Sequence, residues 1–241
     1  MANALSRYGI KEVADVTFYD IENDTPVLYL DTLKVSTIEQ TAENSEARGG
    51  KGNAALISWD YGKEITVTLE DALYSPRSLA LIYGDQDAKP QDFTGSIVKT
   101  VHLDDVVTRP STVNADVNVK LAGKDITLTS CSYYNANRDP AHSVDDTVYI
   151  TGKINGITGT TIDISANSFP GVYKIVGDTY ARNEETGKDE FFQFIIPKAK
   201  VMSESNTITM EAEGDPTVFA MNLKVLRPRD GVMMQLRQYT V

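Results

Sequence analysis

Three glycines and two cations crowd into Arg48-Gly49-Gly50-Lys51-Gly52-Asn53, the composition of a loop that could cradle phosphate. In such a loop backbone N–H groups point at the anion, a lysine neutralises it, and the dipole of a following helix adds to the attraction. The spacing here does not complete the device. Lys51 is followed by Gly52 where the phosphate loop needs Ser or Thr, and "AALISWDYG" downstream leads into a strand. The glycines keep only their conformational freedom. Arg48 and Lys51 stand out as two cations on an acidic chain.

Other groups able to do chemistry are scattered. His102 and His142 are the only histidines, and neither has a His, Cys or carboxylate at the spacing of a zinc site. The single cysteine, Cys131 in "LTSCSYY", excludes an intramolecular disulfide and reads as a buried small hydrophobe. The acidic run "NEETGKDE" (183–190) lacks the alternating twelve-residue ligand register of a calcium loop and reads as a solvated hairpin tip. Asp104-Asp105 and Asp145-Asp146, if extended, point to opposite faces and do not converge on a substrate. No G-x-S-x-G nucleophile turn occurs. The aromatics Trp59, Tyr61, Tyr133, Tyr134, Phe191, Phe192 and Phe194 read as core or interface. The expectation is a non-enzyme with no catalytic residue, cofactor or metal ligand.

The elements that must position these residues are strands. "KEITVTLE" (63–70) sets Ile65, Val67 and Leu69 against Thr66, Thr68 and Glu70, the period of a strand with one buried face. "TPVLYLDTLKVSTI" (25–38) is strand-like with a bend near Asp31. Further strands are expected at 97–103, 115–121, 125–130, 146–154, 160–165, 171–181, 190–196, 206–213 and 217–226. Turns are expected at 122–125, 156–159 and 213–216. "IVGDTYARNEETGKDEFFQFII" (175–196) reads as a long hairpin. One helix is expected at 75–84: Ser75 caps it, Pro76 takes its first position, Leu79, Leu81 and Ile82 give an apolar stripe, and Gly84 ends it.

The chain has 241 residues, 41% of them hydrophobic, so a sizeable core can form. Its 23 basic and 34 acidic residues give a net charge of −11, which argues against a general nucleic-acid surface. The N-terminus has no signal-peptide pattern, and no run of 18 apolar residues suggests a membrane span. A soluble protein made in a cytoplasm is expected.

The order of segments carries a resemblance. Residues 46–84, "EARGGKGNAALISWDYGKEITVTLEDALYSPRSLALIYG", and 191–228, "FFQFIIPKAKVMSESNTITMEAEGDPTVFAMNLKVLRP", resemble the tail tube (major tail) proteins of tailed bacteriophages. The likeness extends over roughly 8–100 and 170–240. It implies a mainly β fold: an antiparallel sandwich or incomplete barrel with one short flanking helix, a long loop and a long hairpin. The tube-like domain is expected at 1–103 and 166–241; residues 104–165 lie outside the resemblance and, beginning at Asp104-Asp105 and Pro110 with their own strand and turn rhythm, are expected to form a β-rich insertion. Six copies would join edge strands into a ring, and rings would stack into a tube in the virion that conducts DNA without binding it specifically. Partners would be further copies and other tail proteins such as sheath, terminator or baseplate, with no membrane. The long loop 40–54, with Arg48, Gly49, Gly50, Lys51, Gly52 and Asn53, would be an arm to the neighbouring ring, folding on contact. Two alternatives remain. One is another phage part, such as a tail terminator, baseplate or capsid decoration protein. The other is a carbohydrate- or surface-binding β module using its tyrosines and Trp59.

Overall fold

The computed structural model describes residues 7–85, 91–203, 208 and 217–240. Strand accounts for 59% and helix for 6%, with antiparallel sheets and no closed barrel, so the fold is mainly β as expected. By contacts the chain divides into two units, 1–90 with 162–241, and 91–161.

In the first unit, β1 (Tyr8–Ile10), β2 (Asp15–Asp20) and β3 (Pro26–Leu30) are followed by two long strands, β4 (Leu33–Gly49) and β5 (Ala54–Asp71). The order across the sheet is β3-β2-β10-β11-β12-β5-β4, with β10 spanning Val172–Asn183, β11 Asp189–Val201 and β12 Phe219–Val225. β1 adds to β10, and β13 (Gln235–Tyr239) adds to β11. β3 and β4 lie at opposite ends of this path, yet only Asp31 and Thr32 separate them in the chain. The sheet must therefore curl until its ends meet. Polar bonds hold the seam: Thr32 Oγ1 donates to Asp71 Oδ1 (2.5 Å), and the Ala72 N–H donates to the Thr32 carbonyl (3.1 Å). The bend expected near Asp31 is this corner.

Inside the curl, the period-two pattern does what the sequence asks. Ile65, Val67 and Leu69 of β5 are buried with Val16, Phe18, Ile175, Ile196 and Leu223 in one core. Helix α1 (Pro76–Tyr83) adds Leu81 and Ile82 to it. Its capping follows expectation: Ser75 accepts from the Ser78 N–H, Pro76 opens the helix, and Gly84 closes it at φ 80°. A Cβ at Gly84 would also lie 2.4 Å from the Phe169 carbonyl carbon, so backbone approach as well as φ requires glycine there.

The hairpin of β10 and β11 turns through 184–188. Asn183 Oδ1 accepts from the Glu185 and Thr186 N–H groups, and Arg182 grips Asp189 with two bonds of 2.7 Å. The acidic tip is thus an organised turn. Three short strands, β1, β2 and β13, escaped the sequence reading; the strand expected at 206–213 lies largely outside the described residues.

The second unit is a four-stranded sheet, β6 (Gln91–His102), β9 (Tyr149–Thr161), β8 (Lys124–Tyr134) and β7 (Val117–Leu121) in that order. Its division at 91 and 161 differs from the expected 104 and 165, because β6 pairs along its whole length with β9. The turn expected at 156–159 is corrected: β9 runs straight through it. Gly156, at φ 70°, lies in the register shift between the Gly95–Ile157 and Ile97–Ile154 pairs, so the glycine marks a bulge, not a chain reversal. Val119, Leu128 and Ile150 are fully buried in this unit's core. Cys131 is half-buried, less than expected, with burial pushing its thiol pKa up.

Two substitutions test this packing. The Phe194 ring lies across Gly177, its cross-strand partner, and a Cβ there would fall 2.1 Å from the ring. Since Phe194 is itself buried, Gly177→Ala should cost about 3 kcal/mol, read as a lower denaturant midpoint. The Tyr133 hydroxyl is buried without a hydrogen-bond partner among the described residues, and burial lifts its pKa to about 12. The Cys131 thiol beside it donates instead to the Leu128 carbonyl (3.3 Å). Tyr133→Phe should leave stability unchanged or raise it by about 1 kcal/mol in the same measurement.

Candidate assembly surface

β4 and β5 begin as core strands and end in water. Near the body, Ile38 pairs with Val67 and Gln40 with Ile65 over the core. Farther out, every residue of β5 from Ala54 to Glu64 is exposed. At ~3.4 Å per residue, the segment 43–49 carries this two-stranded ribbon about 20 Å outward. The expected loop 40–54 is corrected accordingly: most of it is paired strand, and only Gly50–Asn53 turns. Thr37 and Thr41 favour extended backbone in β4, while the polar composition suggests a loop.

A bulge decides which way the ribbon's apolar side faces. Between the pairs Thr41–Glu64 and Glu43–Tyr61, β5 advances three residues while β4 advances two, with Gly62 at φ 63°. Only glycine takes that backbone without penalty. The extra residue inverts the alternation of β5. Odd-numbered residues face the core at 65, 67 and 69, whereas Trp59 and Tyr61 take the opposite side. The even side of the ribbon is polar: Asn44 Nδ2 bonds Ser58 Oγ, and Arg48 Nε bonds Glu46 Oε2 at 2.8 Å. A second register shift between Ala47 and Arg48 brings Leu56 toward Gly49, where a Cβ would meet Leu56 Cδ1 at 3.4 Å. Leu56 therefore joins Ile57, Trp59 and Tyr61 on one side.

Those four side chains are 68, 54, 53 and 53% exposed. A two-stranded hairpin with no third strand is marginal in water, and a contiguous apolar stripe on it marks a surface made for contact. Covering the stripe would contribute on the order of 5 kcal/mol before the cost of ordering. β4 also presents its outer edge, since its only strand partner among the described residues is β5. Unpaired edges template pairing with another chain.

The residues singled out in the sequence sit at the ribbon's end. The Asn53 N–H donates to the Gly50 carbonyl (3.2 Å), and Gly50, Gly52 and Asn53 have φ of 77, 88 and 50°. The glycines are turn formers. Lys51 projects exposed from the tip without an ion pair among the described residues, whereas Arg48 is already paired with Glu46 of its own strand. An exposed pair of this kind contributes under about 1 kcal/mol and can exchange partners.

A complementary surface lies at the other end of β5. Leu73 and Tyr74 are exposed, Tyr74 packs on Phe219 at a centroid distance of 4.9 Å, and with Ala72, Leu79 and Thr217 they border an apolar hollow of about 490 Å³. Twelve residues of strand separate Trp59 from Asp71, roughly 40 Å at ~3.3 Å each, so the stripe does not reach this hollow within its own chain.

The other candidates are not brought together. His142 is exposed in a loop; His102 lies 3.1 Å from Asp104 alone. The two Asp pairs sit in single 3-10 turns rather than extended segments. Among the described residues no group of three or more His, Cys, Asp or Glu could hold a metal, and no helix is long and apolar enough to cross a membrane.

A family model described as the YomU/Tube protein family matches residues 8–236. The chain belongs to that family. The match spans both segments that resemble phage tail tube proteins and the second unit between them, and membership makes this a structural component of the phage tail tube. No curated protein matches the chain. What sequence reading missed in this YomU/Tube member is the stripe. Trp59 and Tyr61 read as core or interface, and Leu56 and Ile57 as the lead into a strand; that the four share one exposed side was signalled only by Gly62 within a strand pattern.

Trp59 is the sole tryptophan, so the surface reports on itself. In the dilute subunit its emission should be that of a water-exposed indole, freely quenched by acrylamide. Trp59→Ser should shift stability by less than about 0.5 kcal/mol in denaturant titration, because the residue packs on nothing buried.

Proposed function

We propose that copies of this chain assemble through the β4–β5 ribbon into stacked rings, six subunits to a ring, forming the tube through which phage DNA leaves the particle. The exposed apolar stripe on a free ribbon carries this reading, and the family match sets its context. The stripe of one copy would seat against the hollow beside Leu73 and Tyr74 of another, with Lys51 free to meet carboxylates on an acidic neighbour. Free strand edges would join within a ring. A net charge of −11 suits a conduit that lets DNA slide, because like charge keeps phosphates from adhering. The first unit supplies the tube-forming domain and the second is an insertion into it. Sheath, terminator or baseplate proteins would cap or surround the result, and the chain acts without catalysis.

The test is assembly of the purified chain, followed by negative-stain microscopy and sedimentation. Rings or tubes with sixfold symmetry are expected, accompanied by a blue shift of Trp59 emission. Trp59→Ser combined with Lys51→Glu should abolish tubes while leaving a folded subunit, and Leu73→Asp should do the same from the receiving side. Tubes formed normally by both variants would refute the ribbon's role. A different symmetry would refute the hexamer.

A further inference from the structure

The solvent face of the second unit carries an arrangement that the proposed β4–β5 contact does not involve. Register places three rings in one row across the sheet, His102 and Tyr134 flanking Tyr149. The next row is three hydroxyls, Thr100 and Ser132 flanking Thr151, and the two threonine oxygens lie 2.8 Å apart. Their neighbours in sequence, Val101, Tyr133 and Ile150, are buried in the core behind, so the rows stand on a rigid backing. Thr100, Tyr134, Tyr149 and Thr151, with Arg138, enclose a hollow of about 320 Å³, within the range of small-ligand clefts.

Arg138 is held there deliberately. The turn 135–139 is locked by Asn135, whose side-chain oxygen accepts from the Asn137 and Asp139 N–H groups at 2.9 Å and whose carbonyl accepts from Arg138. Arg138 consequently adopts φ 66°, a left-handed backbone that residues other than glycine rarely take. Such conformations persist where surrounding structure enforces them, and they cluster at binding sites. Lys153, paired with Val98 and Thr129 in the row beyond the hydroxyls, supplies a second cation. Neither cation has an ion-pair partner among the described residues.

We infer that this face binds a saccharide bearing a carboxylate, a uronic-acid residue of an acidic polysaccharide. The apolar face of a pyranose stacks on Tyr149, which gives contact area at little cost in rotamer entropy. Ring hydroxyls bond the Thr100–Thr151–Ser132 row, and the carboxylate takes the two-pronged Arg138 guanidinium. Single-stranded nucleic acid also stacks on aromatic rings, but it needs a continuous cationic track. Residues 91–161 hold six basic against eight acidic side chains, so no such track exists in the unit.

Calorimetric titration of the full chain with three probes tests this: a tetrasaccharide alternating glucuronate and N-acetylglucosamine, neutral chitotetraose, and a short oligothymidylate. Saturable binding of the uronate probe is expected, about tenfold tighter than chitotetraose, with no saturation by oligothymidylate. Tyr149→Ala should weaken both sugars about tenfold. Arg138→Ala should remove the preference for the acidic sugar and leave the neutral one unchanged, a split that misfolding would not produce. Equal affinity for the two sugars, saturable oligothymidylate binding, no saturable sugar binding, or parental affinities in both variants would overturn the assignment. The outcome is independent of whether the chain forms tubes.

Discussion

Two residues, Asp31 and Thr32, connect strands that occupy opposite edges of a seven-strand path, and the brevity of that link governs the first unit. A flat sheet would hold those strands tens of ångströms apart; a two-residue link does not. The sheet curls, its inward side chains meet, and Phe18, Val67, Ile175, Ile196 and Leu223 find themselves in one core. Because closure is made at a corner by Thr32 and Asp71 and not by a ladder, β4 has an edge with no strand partner among the described residues. The same constraint that completes the core thus leaves a strand free to extend beyond it.

What happens beyond the core depends on one added residue. A strand of uninterrupted alternation would continue the core-facing side outward, and Trp59 and Tyr61 would lie on the same side as Ile65. The bulge at Gly62 separates the two functions of β5: its inner half packs the body, and its outer half presents an apolar side elsewhere. The ribbon's polar side, with Glu46 paired to Arg48 and Asn44 bonded to Ser58, stays content with water.

The parts legible in the sequence were those with strictly local causes. Ser75, Pro76 and Gly84 specify a helix start and stop through single hydrogen bonds and backbone angles, and α1 follows them to within a residue. The alternation of Ile65, Val67 and Leu69 fixes a buried face in the same local way. Features that depend on a partner strand were less visible. A glycine at 156 reads as a turn until β6 is found running beside it, and the polar segment 40–49 reads as a loop until it is matched with 54–65. The aromatic and hydroxyl rows of the second unit are hidden for the same reason: Tyr134 and Tyr149, or Thr100 and Thr151, become neighbours only through register. The residue types of the tip, Arg48 to Asn53, mislead in chemistry and inform in mechanics, since Gly50 and Gly52 serve a turn.

The continuity of β4 and β5 from core to tip has a mechanical consequence. A load applied at Gly50–Asn53 runs along both strands, and β5 passes it to β12 through the pairs from Thr66–Lys224 to Asp71–Phe219. Those ladder bonds lie perpendicular to the strands. Pulling along the strand therefore loads them together in shear, where peeling at an edge would break them one after another. An arm grafted on a loop would yield at its hinge. This one transmits tension directly into the body of the fold, so whatever grips the tip pulls on the core sheet and not on a hinge.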